Sequence, residues 1–228
     1  LQELNEQNQQ TMTLQAITVP PTTGKPPQGS IVILHGWGAS AQDVRSLAPF
    51  LDLSAYQLIF PDAPFPHPQA PGGRMWYDFP NNFNFQGTPA FRTRDDLSTS
   101  RQLLVDLLKS LHQTTGIPLS RTILGGFSQG AAMTLDVGLG LPLAGLMVLS
   151  GYLHAPIAHQ QAAFPPVLMV HGRQDTVVPL TAAKQALSSL QSLGVQVRYQ
   201  EFDMGHEIQP LVLAKVQSFV KELLSDNK

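Results

Sequence analysis

Gly126-Phe127-Ser128-Gln129-Gly130 has the form G-x-S-x-G, and its surroundings are as informative as its letters. Before it runs Arg121-Thr122-Ile123-Leu124-Gly125, a short apolar segment that reads as a buried strand. After it runs Ala131-Ala132-Met133-Thr134-Leu135-Asp136-Val137, which reads as a helix. A serine on a sharp turn between strand and helix is pushed out at the top of a sheet with its hydroxyl exposed, and glycines flank it because the turn leaves no room for a nearby Cβ. Ser128 is therefore a candidate nucleophile for acyl transfer. With 18 glycines in 228 residues, a bare match arises by chance in roughly one chain of ten, so the motif needs partners elsewhere in the chain.

Working outward, short apolar strands alternate with helices. Ser30–Leu34, Gln57–Phe60, Leu143–Leu149, Val167–Val170 and Val195–Phe202 read as strands, and Met12–Val19 as an edge strand before Pro20-Pro21. Ala41–Phe50, Thr93–Thr114, Leu180–Leu193 and Ile208–Leu224 read as helices; in the second, Leu97, Leu104, Leu108 and Leu111 recur at helical spacing. This alternation predicts one α/β domain over residues 1–228, a mainly parallel sheet covered by helices on both faces. The polar, Gln-rich stretch 1–12 is expected to be flexible and carries no signal-peptide core.

In such sheets the active residues gather where strands end and helices begin. His35-Gly36-Trp37-Gly38 ends one predicted strand, Ser128 follows another, His171-Gly172-Arg173-Gln174-Asp175 follows a third and Met204-Gly205-His206 a fourth. The resulting order, Ser128 then Asp175 then His206, is the α/β-hydrolase order. A serine hydroxyl needs a base as it attacks, and imidazole suits that role near neutral pH. The imidazole in turn needs a carboxylate on its other nitrogen. His206 is read as the base and Asp175 as the carboxylate. Among the other histidines, His35 and His171 precede glycines at strand ends and read as structural; His67, His112, His154 and His159 read as surface residues. Asp203 is too near His206 in sequence, and Asp62 ends a strand before the serine. The oxyanion is expected on the backbone N–H groups of Gln129 and Trp37, with Gly36 and Gly38 giving the carbonyl room.

Phe65, Trp76, Tyr77, Phe79, Phe83, Phe85 and Phe91 are seven of the chain's 17 aromatics. The loop 63–91 that holds them is the expected substrate wall, with Trp37, Trp76, Tyr77 and Phe79 as its contacts. The segment between Ser150 and Val167 is too short for a helical cap, so the site is expected to be open.

Composition narrows the alternatives. Fourteen basic residues stand against 16 acidic ones, with no basic stripe for nucleic acid. There is no cysteine, which removes disulfides and thiolate chemistry and fits a reducing, cytoplasmic setting. No apolar run is long enough to span a bilayer. Gly36-Trp37-Gly38-Ala39-Ser40-Ala41, with Asp62 beyond it, also fits a dinucleotide-binding fingerprint, although Trp37 would crowd a pyrophosphate and the fingerprint leaves Ser128, Asp175 and His206 unexplained. His206-Glu207 fails the H-E-x-x-H zinc pattern because Pro210 stands at the second histidine. A third alternative is a binding protein that keeps the hydrolase fold without turnover.

Several blocks together give a specific resemblance: Leu34-His35-Gly36-Trp37-Gly38, Gly125 to Gly130, Ser150-Gly151-Tyr152-Leu153, His171 to Pro179 and Met204-Gly205-His206, with Trp76-Tyr77-Asp78 as a further motif. In this order, over about residues 30 to 225, the chain resembles the phospholipase/carboxylesterase family of α/β-hydrolases, the group that includes acyl-protein thioesterases and has no large cap domain. The resemblance implies hydrolysis of carboxylic esters or thioesters by Ser128, His206 and Asp175 without a cofactor or metal. Implied substrates are small acyl esters or thioesters, lysophospholipids or acylated proteins. The chain departs from the family pattern at Trp37-Gly38-Ala39, where many members have Leu-Gly-Asp, and at Ala131, where many have glycine.

Overall fold

In the computed structural model the described residues are 13–81, 83–158 and 162–225. The expectation for residues 1–12 and for His159 lies outside them. The sheet is built from β1 (Ala16–Val19), β2 (Ser30–Leu34), β3 (Gln57–Pro61), β6 (Thr122–Phe127), β7 (Gly145–Leu149), β8 (Val167–Gly172) and β9 (Val197–Phe202). Two short strands, β4 (Phe65–Pro66) and β5 (Arg74–Met75), pair separately in the loop after β3. The helices are α1 (Ala41–Arg45), α2 (Asp95–Thr115), α3 (Gln129–Gly138), α4 (Leu180–Ser192) and α5 (Pro210–Leu224).

The strand order is β1-β3-β2-β6-β7-β8-β9, with β1 antiparallel to β3 and the other neighbours parallel. Successive strand residues point to opposite faces, and both faces here are dry. Val32, Leu124, Val148 and Met169 join Leu104, Leu108, Met133 and Leu190 on the side of α2, α3 and α4. Ile31, Ile123, Met147 and Leu168 join Val44, Val216 and Phe219 on the side of α1 and α5. That two-sided burial explains why the central strands read as continuous apolar runs. In α2, Leu97, Leu104, Leu108 and Leu111 are all buried, as the helical spacing predicts. Among the described residues no helix is long and apolar enough to cross a membrane.

One predicted element is broken. Residues 41–50 were expected as a single helix, but α1 stops at Arg45 and a 3-10 turn covers Ala48–Phe50. Pro49 has no N–H to continue an α-helix and disfavours helical geometry in the residue before it. The ladder accordingly tightens to Leu47 N–H donating to Val44 O and Phe50 N–H to Leu47 O.

Candidate active site

Ser128 sits between the last residue of β6 and the first of α3 with φ 55° and ψ −116°, a backbone region that L-residues avoid. Two neighbours hold it there: Ser128 N–H donates to Leu149 O, and Ala132 N–H to Ser128 O. The Cβ of Ser128 therefore projects from the carboxyl edge of the sheet. The loop after β2 passes close beside it, so that a Cβ built on Gly36 would lie 3.4 Å from Ser128 Cβ. The Gln129 N–H is the first of α3, and the first N–H groups of a helix have no partner within it.

The loops that carry Asp175 and His206 are joined by backbone bonds. Arg173 N–H donates to Phe202 O at 2.8 Å and Gln174 N–H to Met204 O at 3.1 Å. This close passage requires glycine at 172, where a Cβ would fall 2.3 Å from Met204 O. His206 Nδ1 thereby comes to 2.7 Å from Asp175 Oδ2. The other carboxylate oxygen accepts the N–H groups of Val177 at 2.9 Å and Val178 at 2.8 Å. Asp175 is buried and His206 partly exposed, its ring tilted over Phe127 with centroids 4.7 Å apart. If Nδ1–H donates to the carboxylate, a neutral His206 ring carries its lone pair on Nε2. On the α1 side a cleft of about 270 Å³ opens, lined by His35, Gly36, Asp43, Val44, Phe127 and His206 among others.

The loop carrying Trp37 is clamped by the segment before Trp76. Gly38 N–H donates to Arg74 O at 2.9 Å, and Arg74 N–H donates back to Ala39 O at 2.8 Å. Trp37 is 41% exposed and meets the edges of His67 and Phe79 at centroid distances of 4.1 and 5.6 Å. Trp76 and Tyr77 differ from expectation. Both have no exposed surface, so neither faces a substrate groove. Trp76 Nε1–H donates to His35 O, and its carbonyl accepts the Ser100 hydroxyl. Of the four predicted contacts, only Trp37 and the half-buried Phe79 present surface to a bound molecule.

His154 also departs from its reading as a surface residue. It is buried, with Nε2 at 2.7 Å from the Tyr77 hydroxyl, which in turn lies 2.6 Å from the Tyr152 hydroxyl. The loop after β7 folds inward here, because the aromatic cluster of Phe79, Phe83, Phe85 and Tyr152 draws it over the sheet. His35, by contrast, is structural as expected: Nδ1 meets Gly36 O and Nε2 accepts Ala63 N–H, and burial lowers its pKa.

Sequence reading missed the side chain of Gln129. Fully buried, its Oε1 accepts Trp76 N–H at 2.8 Å and its Nε2 donates to Tyr77 O at 2.7 Å. The residue after the serine thus ties the elbow to the Trp-Tyr-Asp segment through a two-point amide bracket. A polar amide inside an otherwise apolar helix start, together with that distant motif, was the available signal. Gln129→Leu leaves one buried donor and one buried acceptor unpaired, and should lower unfolding free energy by about 3 kcal/mol in urea titration. A variant of unchanged midpoint would show that the bracket carries no stability.

Asp62 bears on the dinucleotide alternative. Its Oδ1 accepts Ala41 N–H at 2.7 Å, so it occupies the α1 N-terminus where a pyrophosphate would have to bind. Moreover, α1 spans only five residues.

A serine at a strained strand-to-helix elbow, on a mostly parallel sheet with helices on both faces and no large cap among the described residues, defines an α/β-hydrolase. Sequence and structure comparisons extend this. The Phospholipase/Carboxylesterase family profile matches residues 16–224, and the chain belongs to that family. Acyl-protein thioesterase 1 of Saccharomyces cerevisiae is 30% identical over 223 residues, covering 88% of this chain and 95% of its own. Lysophospholipase-like protein 1 of Mus musculus is 29% identical over 208 residues, with coverage of 84% and 85%. Among solved structures, esterase PE8 is 31% identical with a TM-score of 0.84, covering 93% of this chain and all of its own. Zea mays acyl-protein thioesterase 2, at 23% identity, shares the fold with a TM-score of 0.75, covering 92% of this chain and 99% of its own. The protein is accordingly a serine hydrolase of carboxylic esters or thioesters, and neither the dinucleotide nor the binding-protein alternative is favoured.

Proposed function

We propose that Ser128 is the nucleophile, His206 the general base and Asp175 the carboxylate that orients it. The observation that carries this reading is the 2.7 Å contact between His206 Nδ1 and the buried Asp175 carboxylate, on the loops that follow β9 and β8 at the same edge of the sheet as Ser128. In the first half-reaction His206 Nε2 takes the Ser128 proton as Oγ bonds to the substrate carbonyl carbon. The carbonyl electrons move onto oxygen, held by the N–H groups of Trp37 and Gln129. Collapse breaks the bond to the leaving alcohol or thiol, which departs with the proton from His206. Water, deprotonated by the same imidazole, then releases the acid and restores Ser128. No step calls for a cofactor.

The substrate class within this reading is an acyl ester or thioester, with an acylated protein or a lysophospholipid as the larger candidates suggested by the names of the relatives. Trp37 and Phe79 flank the acyl side, at the edge of the aromatic loop 63–91. The cleft beside His206 has room for the leaving group. A single domain working in the cytoplasm completes the proposal.

The test is a fluorophosphonate probe with a panel of p-nitrophenyl esters of increasing acyl length, run beside an acyl thioester. Covalent labelling at Ser128 and a burst of nitrophenol are expected. A chain that is neither labelled nor active on any member of the panel overturns the assignment.

A further inference from the structure

A second imidazole borders the Asp175 carboxylate, and the mechanism above does not use it. His171 is the last residue but one of β8, is buried, and places Nε2 at 2.9 Å from Val178 O and 3.5 Å from Asp175 Oδ2. Its Nδ1 is buried without a hydrogen-bond partner. These contacts settle the tautomer. Both atoms facing Nε2 are acceptors, so Nε2 carries the proton; Nδ1 keeps only a lone pair, whose burial unpaired costs less than burying an unpaired N–H. Burial, the largest influence on the ring, lowers its pKa and so favours the neutral form.

A neutral ring in this state has one donor, shared between two functions. It closes the turn 175–178 by holding Val178 O, and the N–H groups of that turn are the ones that fix Asp175 Oδ1. It also presents the positive end of its dipole to Oδ2, the oxygen that accepts from His206. Both carboxylate oxygens are therefore oriented through one side chain. We infer that His171 is a positioning residue that holds the Asp175 carboxylate in the plane and direction His206 needs, without touching substrate. This rests on the proposed roles of Asp175 and His206.

The test is a double-mutant cycle read on a short p-nitrophenyl ester. His171→Leu and His171→Asn, neither of which puts a donor where Nε2 stands, should lower kcat about 10- to 100-fold with KM unchanged, the range for losing a group that orients a functional side chain. His171→Gln, whose amide reaches the Nε2 position, should recover kcat to within about threefold of wild type by restoring the donor. In an Asp175→Asn background, itself slower by about 10⁴-fold, the Leu and Asn substitutions should cost less than about threefold more, because the group they position is already lost. An equal loss in both backgrounds, or no rescue by glutamine, shows a general packing role and overturns the inference, as does wild-type kcat in the Leu and Asn variants. Two substitutions of different volume keep the cycle decidable where one unfolds. Ser128→Ala is assayed alongside: if it is inactive while the His171 variants behave as wild type, only this inference falls, and if it is active the triad reading falls with it.

Discussion

Ser128→Ala should lower kcat on p-nitrophenyl esters by about 10⁴-fold or more and remove fluorophosphonate labelling altogether, judged from the loss of the nucleophile in other serine hydrolases. His206→Ala should lose as much, because the serine oxygen cannot shed its proton without the imidazole. Stability should respond differently from activity. The backbone at 128 stays at φ 55° whichever L-residue occupies it, so alanine keeps the strain while losing the hydroxyl. Glycine relieves it. Strain of this kind costs about 1–3 kcal/mol, against about 0.5–1 kcal/mol lost to the greater freedom of glycine in the unfolded chain. Ser128→Gly should therefore be as inactive as Ser128→Ala but more stable than it by about 1 kcal/mol, read as a higher Tm in the same buffer. Residual turnover near wild type in the alanine variant would remove Ser128 from the mechanism. A glycine variant less stable than the alanine one would show that the elbow stores no strain.

The parts of this molecule that were legible in the sequence are those governed by short-range rules. The alternation of Val, Ile and Leu runs with helical spacing gave a parallel sheet, because both faces of each central strand are buried. The placement of Ser128, Asp175 and His206 after β6, β8 and β9 was readable because a segment that reads as a strand precedes each of them, and the ends of parallel strands converge on one edge. What was not legible depends on long-range packing. Trp76 and Tyr77 read as a groove because aromatics in a loop can face either way. The distant partners that hold Tyr77 inward are the Gln129 amide on its carbonyl and the His154 imidazole and Tyr152 hydroxyl on its own hydroxyl, 52, 77 and 75 residues away along the chain. His154 itself read as a surface residue, since a histidine in a loop gives no sign of a buried hydroxyl waiting for it. The two-residue contact between His171 and the 175–178 turn was hidden for the opposite reason: its partners are local, but one is a backbone carbonyl, which every residue possesses.

The second large effect is expected at Gly130, where two physical rules give opposite signs. It lies in the first turn of α3, and helix propensity alone makes Gly130→Ala stabilising by about 1 kcal/mol. The structure reverses this. A Cβ there would lie 2.5 Å from Leu34 O and 2.6 Å from His35 O, both backbone atoms at the end of β2. Neither can yield easily, since β2 is paired on both sides by β3 and β6, and His35 O also accepts the Trp76 indole N–H. The helix must move instead, at a cost of about 3 kcal/mol for forcing a methyl into a closed contact, which exceeds the propensity gain. That movement carries Ser128 and the Gln129 N–H with it, so kcat should fall about 100-fold, the scale of an ångström-sized misplacement of reacting groups. Ala131→Gly is the control. It removes a buried methyl one residue along the same helix, costs about 1–2 kcal/mol through propensity and lost packing, and leaves α3 in register, so kcat should stay within about threefold of wild type. Urea midpoints and kcat measured on both variants separate the two causes. If Gly130→Ala raises the midpoint and keeps full activity, α3 and β2 do not approach as closely as the elbow geometry requires, and propensity alone governs the position.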